Sequence, residues 1–501
     1  MVLKRKDYFQ KLLGCWMGKN IGGTLGDPFE WIRQVNNVSY YIQDLHGDPL
    51  ANDDLDIQLL WLIAMEEQGV KIDSHILSDY WLLYLTPQWG EYGNSKLNMR
   101  SGLMPPLSGT FRNIYKDSCG SFIRSEIWAC ISAGFPEIAA RYAFQDAIID
   151  HGNGEGTYGE VFCAALESAA FVEKDLNTLI AIGLSYIPDN CGVANAVRNV
   201  LNCHKLGSTW LEARDDVLKN HCGLVDRISD EDVKKGFGLG KLGYHVPLNI
   251  AMVMIGLLYG EGDFGKSICM TVNCGEDTDC TAATLGSIWG ILNGIDAIPD
   301  KWKKPIGRHI KTACLNIGPL GHYGDQLPAT IDDLSVRVDR IFGKICLEYN
   351  LPAAQSEDKF IDVSKMEKLF ATSDFCKIYD KMNYVEYRFT FFNVCIDYGG
   401  DPTIKTRIAR KLRLIIENKY RVQEVVKITW TLPPGWSISP DRQTTIYVPS
   451  KGVEKHICEL EYQLTAENVE NLINRFTVEI GFDGRHSLML VPVILLNGNM
   501  S

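Results

Sequence analysis

Three carboxylates fall within four residues in Asn52-Asp53-Asp54-Leu55-Asp56, directly before an apolar run that reads as a helix. Asp and Asn at a helix start cap free backbone N–H groups and suit the helix dipole. That structural role does not need three clustered acids, which repel one another unless a cation lies among them. Hard divalent cations seek such oxygens. A second cluster, Gly275-Glu276-Asp277-Thr278-Asp279-Cys280, again opens an apolar helix. Asp277 and Asp279 are two apart, so one turn can aim both at one point, and the glycine permits a tight approach. Either cluster alone is a plausible cap. Acids from two helix starts could also face one shared cation, which capping does not predict.

Two glycine-rich segments stand beside them. Gly22-Gly23-Thr24-Leu25-Gly26-Asp27-Pro28-Phe29-Glu30 lacks the Lys-Ser/Thr pair of a phosphate-binding loop and the spacing of a dinucleotide fingerprint. A structural turn is its simpler reading. His151-Gly152-Asn153-Gly154-Glu155-Gly156-Thr157-Tyr158-Gly159 reads either as a loop that approaches a ligand or as a helix connection with a satisfied histidine. Segments 89–93 and 102–109 have the same character and read as structural, with a pocket rim as the alternative.

The elements that must position these residues are helical as far as about residue 350. Residues 9–18, 125–133, 136–149 and 161–172 read as helices, the third opened by a proline. Residues 248–259 and 282–292 are apolar almost all round, as in helices packed on every side. Ala282, Ala283, Gly286, Ser287 and Gly290 would let neighbours come close. A polar stretch over 357–370 reads as a helix or a linker. Beyond it the period changes to alternation, and some seven short strands over the last ~120 residues predict a β-sandwich. The expected organisation is a multidomain chain: an all-α bundle over 1–350, a linker helix over 351–372 and an immunoglobulin-like all-β sandwich over 373–501.

Of 501 residues, 50 are Lys or Arg and 62 Asp or Glu, a net charge of −12 that argues against a nucleic-acid surface. The 15 cysteines are scattered without C-x-x-C pairs, so neither a disulfide framework nor a structural zinc site is expected. Reduced thiols point to the cytoplasm; a removed signal peptide stays open as the alternative. No apolar run reaches the ~20 residues that span a bilayer, so no membrane partner is expected.

Taken in order, the motifs resemble the ADP-ribosylglycohydrolase family, including the dinitrogenase-reductase-activating glycohydrolases. Gly14-Cys15-Trp16-Met17-Gly18 and Gly26-Asp27-Pro28-Phe29-Glu30 look like its first helix and glutamate. Asn52-Asp53-Asp54 looks like its Ser/Thr-Asp-Asp motif, and His151 with its glycines like its histidine loop. Gly275 to Cys280 looks like its Gly-Asp-Thr-Asp-Thr motif. The likeness spans roughly residues 5–345.

The resemblance implies an orthogonal helical bundle holding one or two Mg²⁺ or Mn²⁺ ions. It implies hydrolysis of an N- or O-glycosidic bond of ADP-ribose or a related ribosyl compound. Carried over position by position, Asp53, Asp54, Asp277 and Asp279 become metal ligands, and Glu30 and Asp54 become catalytic. His151 and Tyr158 become substrate-binding, and Asp56, an extra carboxylate beside the family's pattern, is expected to join them. Asn52 and Cys280 occupy ligand positions where the family has Ser or Thr, and a thiol is a poor partner for Mg²⁺. The Leu432-Pro433-Pro434-Gly435-Trp436 turn resembles those of modules appended to glycoside hydrolases. A glycosidase for another furanoside, with a carbohydrate partner, and a catalytically silent ligand-binding homologue are the alternatives.

Overall fold

The computed structural model describes residues 2–221, 243–315, 326–351, 353–356, 359–362, 366–452, 456–482, 484 and 488–500. The chain is a helical region followed by a β-rich region with two sheets. It divides into two compact units: residues 1–96 with 113–378, and residues 97–112 with 379–501. Among the described residues no helix is long and apolar enough to cross a membrane, and every cysteine is a free thiol.

In the helical unit the first helix runs over Arg5–Gly26. The turn expected over Gly22–Gly26 is therefore helix, although glycine weakens helices by ~1 kcal/mol each. Packing overrides that propensity. Gly14, Gly18, Gly22 and Gly26 recur every fourth residue and lie on one face. They meet Gly290, Gly286, Ala282 and Thr278 of the antiparallel helix Thr278–Asn293, backbone against backbone. A Cβ on Gly26 would stand 2.2 Å from Thr278 O, and Thr278 Oγ1 donates to Gly26 O at 2.8 Å. This register puts the start of the Thr278 helix beside the end of the first helix. Asp27–Phe29 then makes a short 3-10 turn that leads to Glu30.

The Asp53–Gln68 helix is buried from Asp54 through Met65, and Val246–Tyr259 from Val246 through Leu258. Helices without a polar face belong inside a larger helical body. The loop expected over residues 151–159 ends early, because helix Glu155–Ala170 already includes Gly156 and Tyr158. Gly156 is required there by space: a Cβ would lie 1.9 Å from His151 Cδ2. Within 351–372, where a linker helix is expected, the described residues form strands Ala353–Ser356 and Lys359–Asp362 and a 3-10 turn, Met366–Leu369. Lys359–Asp362 pairs with Val2–Leu3, and this sheet pairing replaces the helix.

In the second unit two five-stranded sheets enclose the core. One runs Gln443–Val448, Glu424–Thr431, Ile473–Phe482, Leu488–Asn497 and Thr403–Ile404; the other runs Tyr384–Arg388, Phe392–Asp397, Arg410–Asn418, Ile457–Ala466 and Trp436–Ser439. Pairings between these strands are antiparallel except Thr403–Ile404 on Leu488–Asn497. Alternate residues such as Phe476, Val478 and Ile480 point inward. Leu103, Leu107 and Phe111 join that core from far away in the sequence. Residues 102–109 thus serve structure, as expected, by packing among strands.

Candidate functional site

The Asp53 helix is capped by Asn52, whose Oδ1 accepts the Asp54 N–H at 2.7 Å. The three carboxylates behind it are not needed as caps. Asp277 precedes the Thr278 helix, and its side chain makes no capping bond. Its aim comes from the turn before it. Gly275 and Glu276 both have left-handed backbone, φ 77° and 70°, and such strain in a non-glycine residue needs an anchor. Arg33 provides it, with Nε 3.0 Å from Glu276 Oε2 in a buried pair. Asn249 Oδ1 also accepts the Asp277 N–H at 3.1 Å.

These elements bring the two motifs together. Asn52 Nδ2 donates to Asp279 Oδ2 at 3.0 Å, so one amide caps the first helix and orients the carboxylate of the second. Ligand atoms of Glu30, Asp277 and Asp279 lie within 4.8 Å of one another, as do those of Asp54, Asp279 and Cys280, and those of Cys119, Asp277 and Cys280. Among the described residues no fixed donor hydrogen-bonds the buried Asp54 Oδ2, Asp277 Oδ1 or Asp279 Oδ1. Buried carboxylate oxygens of this kind demand a proton or a cation.

Electrostatics agrees with the geometry. Burial, then Asp279 and Asp53, push the Glu30 carboxyl up to about 9. Burial, then Asp279, raise Asp53 to about 6. Burial is also the main cause that drives Asp54 and Asp277 well above the usual carboxylate range, with Lys19 opposing it at Asp54. The donor set, three orphaned oxygens and further carboxylates at ligand separations, fits a divalent cation.

Above the acids lies a cavity of about 500 Å³, with Glu30, Asp53, Asp277 and Asp279 in its lining. Its aromatic lining includes Trp31, Trp89, Tyr115 and Tyr244. Trp31 and Trp89 are 52% and 58% exposed, and Tyr115 and Tyr244 stand 6.2 Å apart between ring centroids. Flat apolar walls over a charged floor suit a ligand with a ring at one end and hydroxyls at the other.

The chain matches the ADP-ribosylglycohydrolase family over residues 4–338. It belongs to that family. A comparison with curated proteins found no match. A solved structure described as an ADP-ribosylglycohydrolase-related protein complex is similar at 16% identity, with a TM-score of 0.45, over 67% of this chain and 99% of that one. A FixG-related protein from Vibrio parahaemolyticus is similar over 18% of this chain and 81% of that one, at 13% identity and a TM-score of 0.16. Membership in the ADP-ribosylglycohydrolase family supports glycosidic hydrolysis as the broad class of activity.

Not every residue marked in the sequence reaches the cavity. Asp56 is not among the lining residues: Oδ2 accepts the Ala313 N–H at 2.6 Å and also that of Cys314, and these two residues line the cavity. His151 is fully buried behind Ser118, with Nε2 3.2 Å from Ser118 Oγ and Nδ1 2.9 Å from Asp150 Oδ1. It supports the wall and does not form it. Tyr158 lies on the helix beyond, close enough to Glu155 and Cys191 for their charges to raise its hydroxyl after burial has done so. Asn52 has its oxygen engaged in the cap, so it faces the acids with its NH₂. Asp53 lines the cavity and accepts from Tyr92 Oη at 3.3 Å.

Other residues of the site were not singled out in the sequence. Lys19, 2% exposed, lies 3.9 Å from Asp54 and 2.8 Å from Glu126. Cys119 Sγ donates to Asp277 Oδ2 at 2.7 Å. Glu91 lines the cavity at a place cleared for it by Gly120, where a Cβ would be 1.8 Å from Oε1. The Trp-Gly-Glu-Tyr-Gly run that carries Glu91 and Tyr92 was the available signal.

Proposed function

We propose that this protein hydrolyses an N- or O-glycosidic bond at the ribose of ADP-ribose or a related ribosyl compound, with one or two Mg²⁺ or Mn²⁺ ions. Asp54, Asp277, Asp279 and Glu30, with Asp53 at the edge, would hold the cations. The observation that carries this reading is the meeting of orphaned carboxylate oxygens from two helix starts at the floor of an aromatic cavity. A bound divalent cation supplies Lewis acidity and positive charge toward sugar hydroxyls. The chain's own residues do the rest. Asn52 holds Asp279 in place. In the cation-free protein burial and the facing Asp279 keep a proton on Glu30, which a bound cation would displace. Trp31, Trp89, Tyr115 and Tyr244 offer stacking faces and exclude water from one side. Asp56 and His151 hold the Ala313–Cys314 and Ser118 walls at fixed distances, which matters because reacting groups must be positioned closely.

The test is release of free sugar by the cation-stripped and the Mg²⁺- or Mn²⁺-loaded protein, from ADP-ribosylated peptides and from aryl furanosides. Cation-dependent release of ADP-ribose is the expected result. Release from simple furanosides alone would move the substrate to another sugar. No release from either, with no thermal stabilisation by ADP-ribose and cation together, would overturn the reading.

A further inference from the structure

We propose that Cys119 and Cys280, with Asp277, form a sulfur-bearing subsite that takes a thiophilic divalent cation, zinc above all. It lies beside the all-oxygen position of Glu30, Asp277 and Asp279. The inference rests on the reading that the carboxylates hold divalent cations, and it names which ion one position selects.

The two cysteines come from separate elements. Cys119 lies before the Phe122–Arg124 turn, and Cys280 is in the first turn of the Thr278 helix. No C-x-x-C spacing announces them, yet their sulfurs and an Asp277 oxygen lie within 4.8 Å of one another. Two thiolates at ~2.3 Å from a tetrahedral zinc stand about 3.8 Å apart, so little movement closes the set. Both cysteines are more than nine-tenths buried, at 3% and 7% exposure, and both line the cavity.

A buried cysteine usually acts as a small hydrophobe. These two instead aim at carboxylates: Cys119 Sγ at Asp277 Oδ2, 2.7 Å away, and Cys280 Sγ at Asp54 Oδ1, 3.4 Å away. Asp277 itself is 4% exposed, and among the described residues no fixed donor hydrogen-bonds its Oδ1. A dication entering here displaces the two thiol protons, and the proton on Asp277, to solvent, and the two thiolates and the carboxylate so formed face its charge. Asp277 then completes a mixed sulfur and oxygen set of the kind zinc accepts and Mg²⁺ does not.

The experiment uses the full chain, reduced and stripped of metal. Co²⁺ serves as the spectroscopic stand-in for zinc, and zinc retention is measured by mass spectrometry in the presence of excess Mg²⁺. Wild type should retain zinc and show a near-ultraviolet thiolate-to-cobalt charge-transfer band. Cys119→Ser and Cys280→Thr should each weaken the band and together abolish it. Zinc affinity should fall by more than the roughly 10–100-fold that outer-shell changes cost, while Mg²⁺ or Mn²⁺ still raises the melting temperature. If the double variant fails to fold, the two single variants carry the comparison. Cobalt bound without the band, or zinc held equally by wild type and variants, would overturn the sulfur subsite and leave the carboxylate reading standing. Wild type indifferent to every cation would overturn both.

Discussion

Gly18 and Gly286 pack backbone on backbone: a Cβ built on Gly18 would stand 1.9 Å from Gly286 O, and one on Gly286 would stand 2.2 Å from Gly18 O. Neither carbonyl can yield without moving a whole helix. The same contact sets the register that brings Glu30 to Asp277 and Asp279. Gly18→Ala should therefore destabilise the protein by about 3 kcal/mol, the upper range for overpacking, despite alanine's better helix propensity. Gly343→Ala is the control, since Gly343 lies in the helix Ile331–Glu348 and among the described residues no atom outside its own helical turns comes within 4 Å of its Cβ direction. It should gain up to about 1 kcal/mol. Denaturant midpoints of the two variants check this. Equal effects would mean that the close approach is not a constraint.

Asp277→Asn should remove cation binding and hydrolysis while the fold survives. The carboxyl is buried against Cys119 and Asp279, and an amide of the same shape brings no charge into that place. In a thermal melt the variant should match or exceed cation-free wild type and show no shift on adding Mg²⁺ or Mn²⁺. A shift equal to that of wild type, or full activity, would remove Asp277 from the site.

Lys19 is the cation that the sequence hid. Its ammonium lies 2.8 Å from Glu126 and 3.9 Å from Asp54, all three nearly fully buried. Lys19→Met leaves Glu126 uncompensated and should cost about 3–5 kcal/mol. Adding Glu126→Gln should recover much of that loss. A single variant as stable as wild type in urea would show that the carboxylates are held by something else.

The helical architecture was largely legible because long apolar runs such as 248–259 and 282–292 can only be interior helices. The alternation after residue 384 likewise marked the sheets. The acids were legible by type: three of them beside one helix start exceed what a cap uses, and Asn52 turned out to be the cap. What stayed hidden was direction and long-range company. Asp56 has the same type and neighbourhood as Asp54, yet helix geometry turns it toward Ala313 and Cys314. His151 stands one layer behind Ser118. Glycines in the first helix read as a turn because their helical partner lies more than 250 residues away. Cys119 carried no local pattern at all.

Cys280→Thr should leave Mg²⁺ held at least as tightly as in wild type. The thiol sits 3.4 Å from Asp54 Oδ1, at the position where a hydroxyl would offer a hard oxygen, and Mg²⁺ prefers that donor. Titration calorimetry with Mg²⁺ reads the change directly. Weaker binding in the variant would mean that the sulfur makes a favourable contribution to Mg²⁺ and that the departure from the family pattern is misread.

The cation-free protein should lose stability as the pH rises. Burial and the facing Asp279 and Asp53 raise Glu30 from 4.5 to about 9. Burial raises Asp56 from 3.8 to about 7, against the Cys314 and Ala313 N–H groups that lower it. Burial and Asp279 raise Asp53 from 3.8 to about 6. Between each pair of values the folded chain holds a proton that the unfolded chain has released. The folded state thus binds more protons, and unfolding free energy declines with pH across that window. The contribution is complete below the unfolded values and is gone once Glu30 ionises near 9. A divalent cation replaces the protons, so its stabilising effect should grow over the same interval. Melting temperatures with EDTA and with Mg²⁺, taken between pH about 6 and about 9, test both slopes. A cation-free melting temperature that climbs with pH would show that these carboxyls ionise freely in the folded chain and have no need of a metal.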